Sequence, residues 1–315
     1  MLRTILSGLL VVLGAWAQVT IPAKNEGEVG AGEGPAWNYK EQALYFTHQN
    51  KISKWRAGKG VEVFREPSRG TNGLLFDRQG RLIACESQAG RITRTELDGT
   101  LTVLADSYEG KKFNSPNDLT MDSKGRIYFS DPRYGRREGM QLEEAVYRID
   151  GPGKVMRVIP HAVVDRPNGV LVSEGDQYLF VADNNNNTPG GPRKLWRFRL
   201  GANGDVDLGS KKLMFDWEDG RGPDGIKSDR RGWLYVAGGR TKASGQESAA
   251  KFKGGVYVFD QEGKWVEFIP VPVDEVTNCA FGGADFRTLY ISAGGTLWSV
   301  RRDVAGRVLF GGGAR

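Results

Sequence analysis

One pattern recurs six times along this chain, and no other feature restricts its fold as strongly. Each copy opens on an acid or amide residue, often beside Gly or Pro. It continues as a short apolar strand, turns through Asp and Gly, and returns as a strand ending in a small or acidic residue. The copies open at Glu33, Asn72, Asn117, Asn168, Asp224 and Asn278, which lie 39, 45, 51, 56 and 54 residues apart. Their second strands are Ala43 to Thr47, Arg81 to Ala84, Arg126 to Asp131, Tyr178 to Asp183, Trp233 to Ala237 and Thr288 to Ser292. Most copies carry third and fourth strands, such as Gly255 to Phe259 followed by Trp265 to Phe268. Short apolar runs bounded by Gly and Asp are strand signals, and no stretch holds a helical period over a dozen residues. Four short strands in a repeat of roughly 40–50 residues fit a β-propeller blade. The expectation is an all-β, six-bladed β-propeller with four antiparallel strands per blade around a central channel. A sandwich does not account for the period. Ring closure needs a strand from elsewhere, and Val19-Thr20-Ile21 is a topological candidate to join the last blade.

Composition agrees and excludes several function classes. Of 315 residues, 44 are Gly, twice the usual share of roughly 7%. With only 13 Pro and no G-X-Y period, the surplus points to many tight turns. Only two His (His48, His161) and two Cys (Cys85, Cys279) are present, too few for a three-His metal site or a thiolate zinc cluster. Hydrophobic residues at 39% and eight Trp call for a packed core, not a disordered chain. The net charge of +6 is dispersed, with Arg133, Arg136 and Arg137 as its densest cluster, so no nucleic-acid partner is expected.

Met1 to Ala17 has a short basic start, an apolar run and the small-x-small site Ala15-Trp16-Ala17. It is expected to be a signal peptide spanning residues 1–17, ahead of one domain over 18–315, for a secreted or periplasmic protein. The apolar run is shorter than the ~20 residues a membrane span needs. Export permits a Cys85–Cys279 disulfide, and two buried free thiols are the other possibility.

In a propeller the first strand of each blade lines the channel, so equivalent positions converge in space. All six openings offer a side-chain oxygen. Asn-Gly and Asp-Gly are common turn dipeptides, but turn chemistry does not explain Glu33 or the shared phase of the repeat. Carboxylate and amide oxygens suit a hard divalent cation such as Ca²⁺ or Mg²⁺. Asp131 and Asp183, which end second strands, either face the channel mouth or serve strand-end turns. A Ser-His-Asp hydrolase is disfavoured, because no Gly-x-Ser-x-Gly is present.

The motifs Glu33-Gly34-Pro35, Ser115-Pro116-Asn117-Asp118, Arg166-Pro167-Asn168-Gly169 and Gly222-Pro223-Asp224-Gly225 resemble those of the senescence-marker-protein/gluconolactonase/luciferin-regenerating-enzyme family. Thr277 to Gly283 with Thr288 to Ile291 resembles the last blade of its bacterial gluconolactonase-like members. The similarity runs from about residue 26 to 302. It implies a divalent cation in the channel, most often Ca²⁺ (Zn²⁺ or Mg²⁺ being alternatives), with Glu33, Asn168 and Asp224 as core ligands and Asn117 as a further contact to metal or substrate. It also implies a metal-dependent lactonase opening a cyclic ester such as a sugar lactone, with Asp224 as catalytic base. On that reading Asn72, Asn117 and Asn278 are the candidate substrate-binding residues. The alternatives are a phosphotriester or aryl-ester hydrolase on the same metal core, and a non-catalytic ligand-binding propeller with a structural ion. Two features depart from the family pattern. Cys85-Glu86-Ser87 stands where Cys-Glu-His is usual, and Asn184 to Asn187 form an uncommon run, expected to be a flexible polar loop at the mouth.

Overall fold

Six antiparallel sheets of four strands each account for nearly all the secondary structure in the computed structural model, which describes residues 19–134 and 139–310. Blade one is Glu33–Asn38, Ala43–His48, Lys51–Arg56 and Gly60–Arg65, ordered from the channel outwards. Blade two is Thr71–Phe76, Leu82–Glu86, Arg91–Thr95 and Leu101–Ala105. Blade three is Leu119–Met121, Ile127–Asp131, Ala145–Gly151 and Lys154–Pro160. Blade four is Pro167–Val172, Tyr178–Asn184, Arg193–Leu200 and Val206–Asp216. Blade five is Ile226–Ser228, Leu234–Gly238, Gly255–Phe259 and Trp265–Pro270. Blade six takes Val276–Gly282, Thr288–Ala293 and Gly295–Arg301 from the end of the chain and Lys24–Ala31 from its beginning. The expected six-bladed propeller is therefore observed.

Ring closure differs from the expectation in its residues. The strand that completes blade six is Lys24–Ala31, antiparallel to Gly295–Arg301. Val19–Thr20 instead adds a fifth strand, parallel to the outer edge of blade five. The expected signal peptide lies outside the described residues.

The core is divided by the architecture. Six hydrophobic clusters occur among the described residues, one at each junction between neighbouring blades. Middle strands are covered on both faces, which explains continuous apolar runs such as Leu179 to Ala182, all 4% exposed or less. Outer strands face water and keep exposed Val61, Val63 and Leu213. The Asp/Gly turns between first and second strands carry their own bonds. Asp122 Oδ1 accepts from Lys124 N (2.9 Å) and Arg126 N (3.0 Å), and Asp229 Oδ1 accepts from Arg231 N (2.9 Å) and Trp233 N (3.1 Å). These caps satisfy the turn's backbone donors, which would otherwise be buried unpaired. Cys85 and Cys279 are free, buried thiols in different clusters, so the disulfide is not formed.

Candidate active site at the channel mouth

The hydrogen-bond ladder defines which residues of different blades are equivalent. Asn117 N donates to Ser130 O and Ser130 N to Asp118 O; Asp224 N donates to Ala237 O and Ala237 N to Gly225 O. Gly73 N donates to Asn117 O at 2.7 Å, and Gly225 N donates to Thr277 O at 2.9 Å. The mouth level of the channel is thus Asn117, Asp224 and Thr277, with Glu33, Asn72 and Asn168 in the corresponding places. In the sixth copy the sequence register is one residue off: Thr277 stands at the mouth, and Asn278 lies one residue deeper.

That deeper level explains the glycines that follow the openings. A Cβ on Gly169 would stand 2.1 Å from the Asp224 carbonyl oxygen, and one on Gly73 2.5 Å from that of Asn117. At Gly73 and Gly169 neighbouring blades approach so closely that only glycine fits, and Gly34 has in addition a φ of +55° that favours glycine. Blades three and six, opposite each other in the ring, carry Asp118 and Asn278 at this level instead.

Asp224 is 3% exposed and pairs through Oδ2 with Arg221 Nη2 at 2.7 Å. Burial pushes its carboxyl up to about 6 against the pull of Arg221, and Glu275 and Asp118 add to the rise. Glu33 is raised well above the ordinary carboxylate range, first by burial and then by Asp224 and Asp118. Its one hydrogen bond comes from Gly34 N at 3.2 Å, and among the described residues it forms no ion pair with Lys or Arg. Asn168 is 5% exposed, and its Nδ2 donates to Tyr134 Oη at 2.9 Å, which turns its Oδ1 away from that contact. Tyr134 Oη in turn donates to Asn184 O at 3.2 Å. Its hydroxyl is held well above its ordinary value by burial and then by Asp224. The structure therefore brings Glu33, Asn168 and Asp224 into one electrostatic neighbourhood. Asn117 is buried beside them, and Asn72 Oδ1 is buried without a hydrogen-bond donor. Asn278 is engaged elsewhere: its Oδ1 accepts from Cys279 N (2.9 Å) and Lys227 Nζ (3.2 Å).

Sequence reasoning missed Arg221, Tyr134, Asp118 and Lys227. Arg221, three residues before Asp224, was readable as a local ion-pair partner. Tyr134 sits in a loop whose path no motif announces.

Asp131 and Asp183 serve the strand ends. Asp131 accepts from Asn114 N (2.9 Å) and Ser115 N (2.7 Å), and Asp183 from Arg166 N (2.9 Å) and Trp196 Nε1 (3.1 Å). Both hold the segment that leads to a mouth amide. Ser87, at the family departure, donates through Oγ to Pro116 O, next to Asn117. His48 is exposed, and His161 bonds to Asp165 O (2.8 Å). The asparagine run is well held, contrary to the expected flexible loop. Asn184 and Asn185 are 0% and 4% exposed, Asn185 Nδ2 donates to Asp165 Oδ2 (2.6 Å), and Asn186 Nδ2 donates to Glu247 Oε1 (3.0 Å).

The connections on the mouth side are unequal. Between second and third strands, blades four and five use residues 185–192 and 239–254, and blade three has 132–134 and 139–144 among its described residues, whereas blades one, two and six use 49–50, 87–90 and 294.

No group of three or more His, Cys, Asp or Glu side chains is gathered as a metal cluster among the described residues. The donor set nonetheless suits a hard cation, because it mixes carboxylates with amides. Glu33 also lacks an ion pair of its own among the described residues, and Asn72 Oδ1 lacks a donor.

Fold and mouth together define a six-bladed propeller whose channel entrance collects buried oxygen donors from several blades. Residues 31–295 match the family model described as SMP-30/Gluconolactonase/LRE-like region, and the chain belongs to that family. A gluconolactonase of Zymomonas mobilis is 28% identical over 302 residues, covering 87% of this chain and 79% of that protein. The structure of a gluconolactonase from Xanthomonas campestris superposes with a TM-score of 0.72 at 29% identity, over 90% of each chain. A calcium-binding protein, regucalcin, from Agrobacterium tumefaciens shares the fold, with a TM-score of 0.72 at 19% identity over 92% of this chain and 97% of that one.

Proposed function

We propose that the protein is a divalent-cation-dependent hydrolase of sugar lactones, exported behind its N-terminal signal. The observation that carries this reading is the charge pattern at the mouth. Asp224 has Arg221 as its direct ion-pair partner, whereas Glu33, from another blade, has no ion pair of its own and feels Arg221 only more weakly than it feels the repulsion of Asp224 and Asp118. A half-buried carboxylate that is crowded by two others and has no ion pair is costly, and a cation bound from solution would remove that cost. Glu33, Asn168 and Asp224 would hold the cation, with Asn117 adjacent. Calcium is favoured because every donor is a hard oxygen. When bound, it would supply Lewis acidity for the ester carbonyl.

The chain's own residues do the rest. Tyr134 fixes the Asn168 amide so that its oxygen, not its nitrogen, faces the mouth. Arg221 holds Asp224 Oδ2, which leaves Oδ1 to take a proton from the water that attacks the carbonyl carbon. The ring C–O bond then breaks, and the alkoxide takes up the proton as the hydroxy acid forms. Asn72 and Asn117 would orient the ring hydroxyls.

The test is hydrolysis of several aldonolactones, a phosphotriester and an aryl ester, with chelator and with calcium restored. Chelator-sensitive turnover confined to the lactones is expected. Turnover of the phosphotriester or aryl ester alone would move the assignment to those substrates. Inactivity on the whole panel, with calcium still bound tightly, would make the protein a binding module.

A further inference from the structure

Below the mouth, the channel has a second polar level built from blades three, five and six. Asp118 is 2% exposed; its Oδ1 accepts from Leu119 N at 2.9 Å, while its Oδ2 has no hydrogen-bond donor. Lys227 Nζ lies 4.0 Å from that Oδ2, 3.2 Å from Asn278 Oδ1 and 3.2 Å from the carbonyl oxygen of Ile226. The Lys227 side chain also lines the apolar cavity of about 80 Å³ beneath, so its ammonium stands at the boundary between the polar mouth and the apolar base. Opposite blades thus contribute a carboxylate and an amide oxygen at the one level where other blades carry glycine. A lysine from a third blade places a positive charge between them.

We propose that Lys227 is the channel's built-in second cation. Its ammonium takes the place of a dissociable ion at Asp118 and Asn278 and so limits the channel to one divalent cation, held at the mouth. Of the three channel carboxylates Glu33, Asp118 and Asp224, two then have a counter-charge within 4.0 Å, Arg221 for Asp224 and Lys227 for Asp118, and Glu33 is left for an ion from solution. The inference rests on the proposed mouth site only for the count of one ion in the unmodified chain. An ammonium and a divalent cation differ in what they demand of a site. Lys227 donates to oxygens it only partly saturates, whereas calcium would draw in Asp118 Oδ2, Asn278 Oδ1, the Ile226 carbonyl and water.

The test is calcium stoichiometry by equilibrium dialysis, joined to thermal unfolding with and without calcium, on the full chain, Lys227→Met and Lys227→Met/Asp118→Asn. The full chain should bind one ion and Lys227→Met two. Without calcium, Lys227→Met should unfold at a lower temperature than the full chain and recover more on calcium addition, because a ligand that binds only the folded state stabilises it. The double variant should return to one ion and lose the extra calcium response. If Lys227→Met folds only with calcium present, that dependence also supports the proposal. An unchanged count in Lys227→Met, with an unchanged calcium response, would overturn it. If the full chain binds no calcium, the mouth reading fails. A single ion gained by Lys227→Met and lost again in the double variant would still establish the second level.

Discussion

At the mouth of the channel, Glu33, Asn168 and Asp224 bring polar oxygens together with few donors; at the base, Trp37, Phe76, Met121 and Phe281 surround the returning tail Val308 to Phe310. The same inner strands build both ends. Each copy of the repeat reads polar and then apolar, as in Asn117-Asp118 followed by Leu119 and Met121, or Asn168-Gly169 followed by Val170 to Val172. Order along each copy is therefore depth in the channel. The base is closed by the chain itself: Arg307 N donates to Ser228 O (2.8 Å), its guanidinium reaches Val172 O, and Phe310 packs on Phe76 with ring centroids 6.1 Å apart. Apolar burial there stabilises the ring. At the mouth, burial of carboxylates costs stability, which is expected where a site serves a ligand and not the fold.

Asp224→Ala tests the mouth with the largest expected effect. Lactone hydrolysis should fall by about 100-fold or more, the scale of a lost general base. Stability should fall by about 1–3 kcal/mol, because buried Arg221 loses its 2.7 Å partner and keeps only the longer contacts to Glu275 Oε2 (3.5 Å) and Val276 O (3.4 Å). Asp224→Asn keeps an oxygen for Arg221, so it should lose turnover with a much smaller loss of stability in urea unfolding. Equal stability losses in the two variants would mean that the position serves the fold.

Phe281→Ala tests the base. It is 2% exposed, and removing it should cost about 3–5 kcal/mol while kcat and KM stay at their original values. Turnover that falls in step with stability would mean that the two ends are coupled and the comparison is wrong. Gly169→Ala acts at the junction of blades four and five. A Cβ there meets the Asp224 carbonyl backbone, which cannot swing away, so about 1–3 kcal/mol should be lost together with cation affinity. Tyr134→Phe should leave unfolding nearly unchanged and weaken calcium binding by about 10–100-fold, as measured by calorimetry, since the Asn168 amide is then free to flip.

The ring was legible from the repeat because each blade must bury both faces of its middle strands, and that demand writes the same apolar runs six times. Closure was only partly legible. Lys24–Ala31 carries Lys24, Glu26, Glu28 and three exposed positions on a water-facing edge, so its sequence gives little strand signal, whereas Val19-Thr20-Ile21 gives more. At the site, a side-chain type conserved in phase located Glu33, Asn117, Asn168 and Asp224. The sixth copy was misread by one residue because Asn278 mimics the opening chemistry, while its neighbour Thr277 makes the equivalent backbone contact. Tyr134 and the Asn184–Asn186 contacts were not legible, because they depend on loop paths between blades and not on periodicity.

The smallest effect is expected at the exposed turn that joins the first and second strands of blade six. Asp285 Oδ1 accepts from Arg301 Nη1 at 2.8 Å, Oδ2 bonds to Arg301 Nη2, and these bonds pull the carboxyl down to about 2. An unfolded Asp titrates near ~3.9, so between those values the unfolded chain binds more protons than the folded one. The pair therefore contributes stability above about pH 4 and loses it as the pH falls towards 2. Both side chains are about half exposed, so solvent screening reduces the contribution to a few tenths of a kcal/mol. Asp285→Asn should be destabilised by that amount at pH 7, less in high salt, and not at all at pH 2. Asp224 has the opposite sign. With its carboxyl pushed up to about 6, the folded chain without calcium binds more protons than the unfolded chain between about pH 4 and 6, so acid relieves strain at the mouth while it removes support at the rim. Urea unfolding of the chelated full chain and of Asp224→Asn at pH 7 and pH 5 checks this. The full chain should gain on the variant as the pH falls, and a parallel response would place Asp224 in an ordinary solvated setting and remove the contrast between mouth and rim.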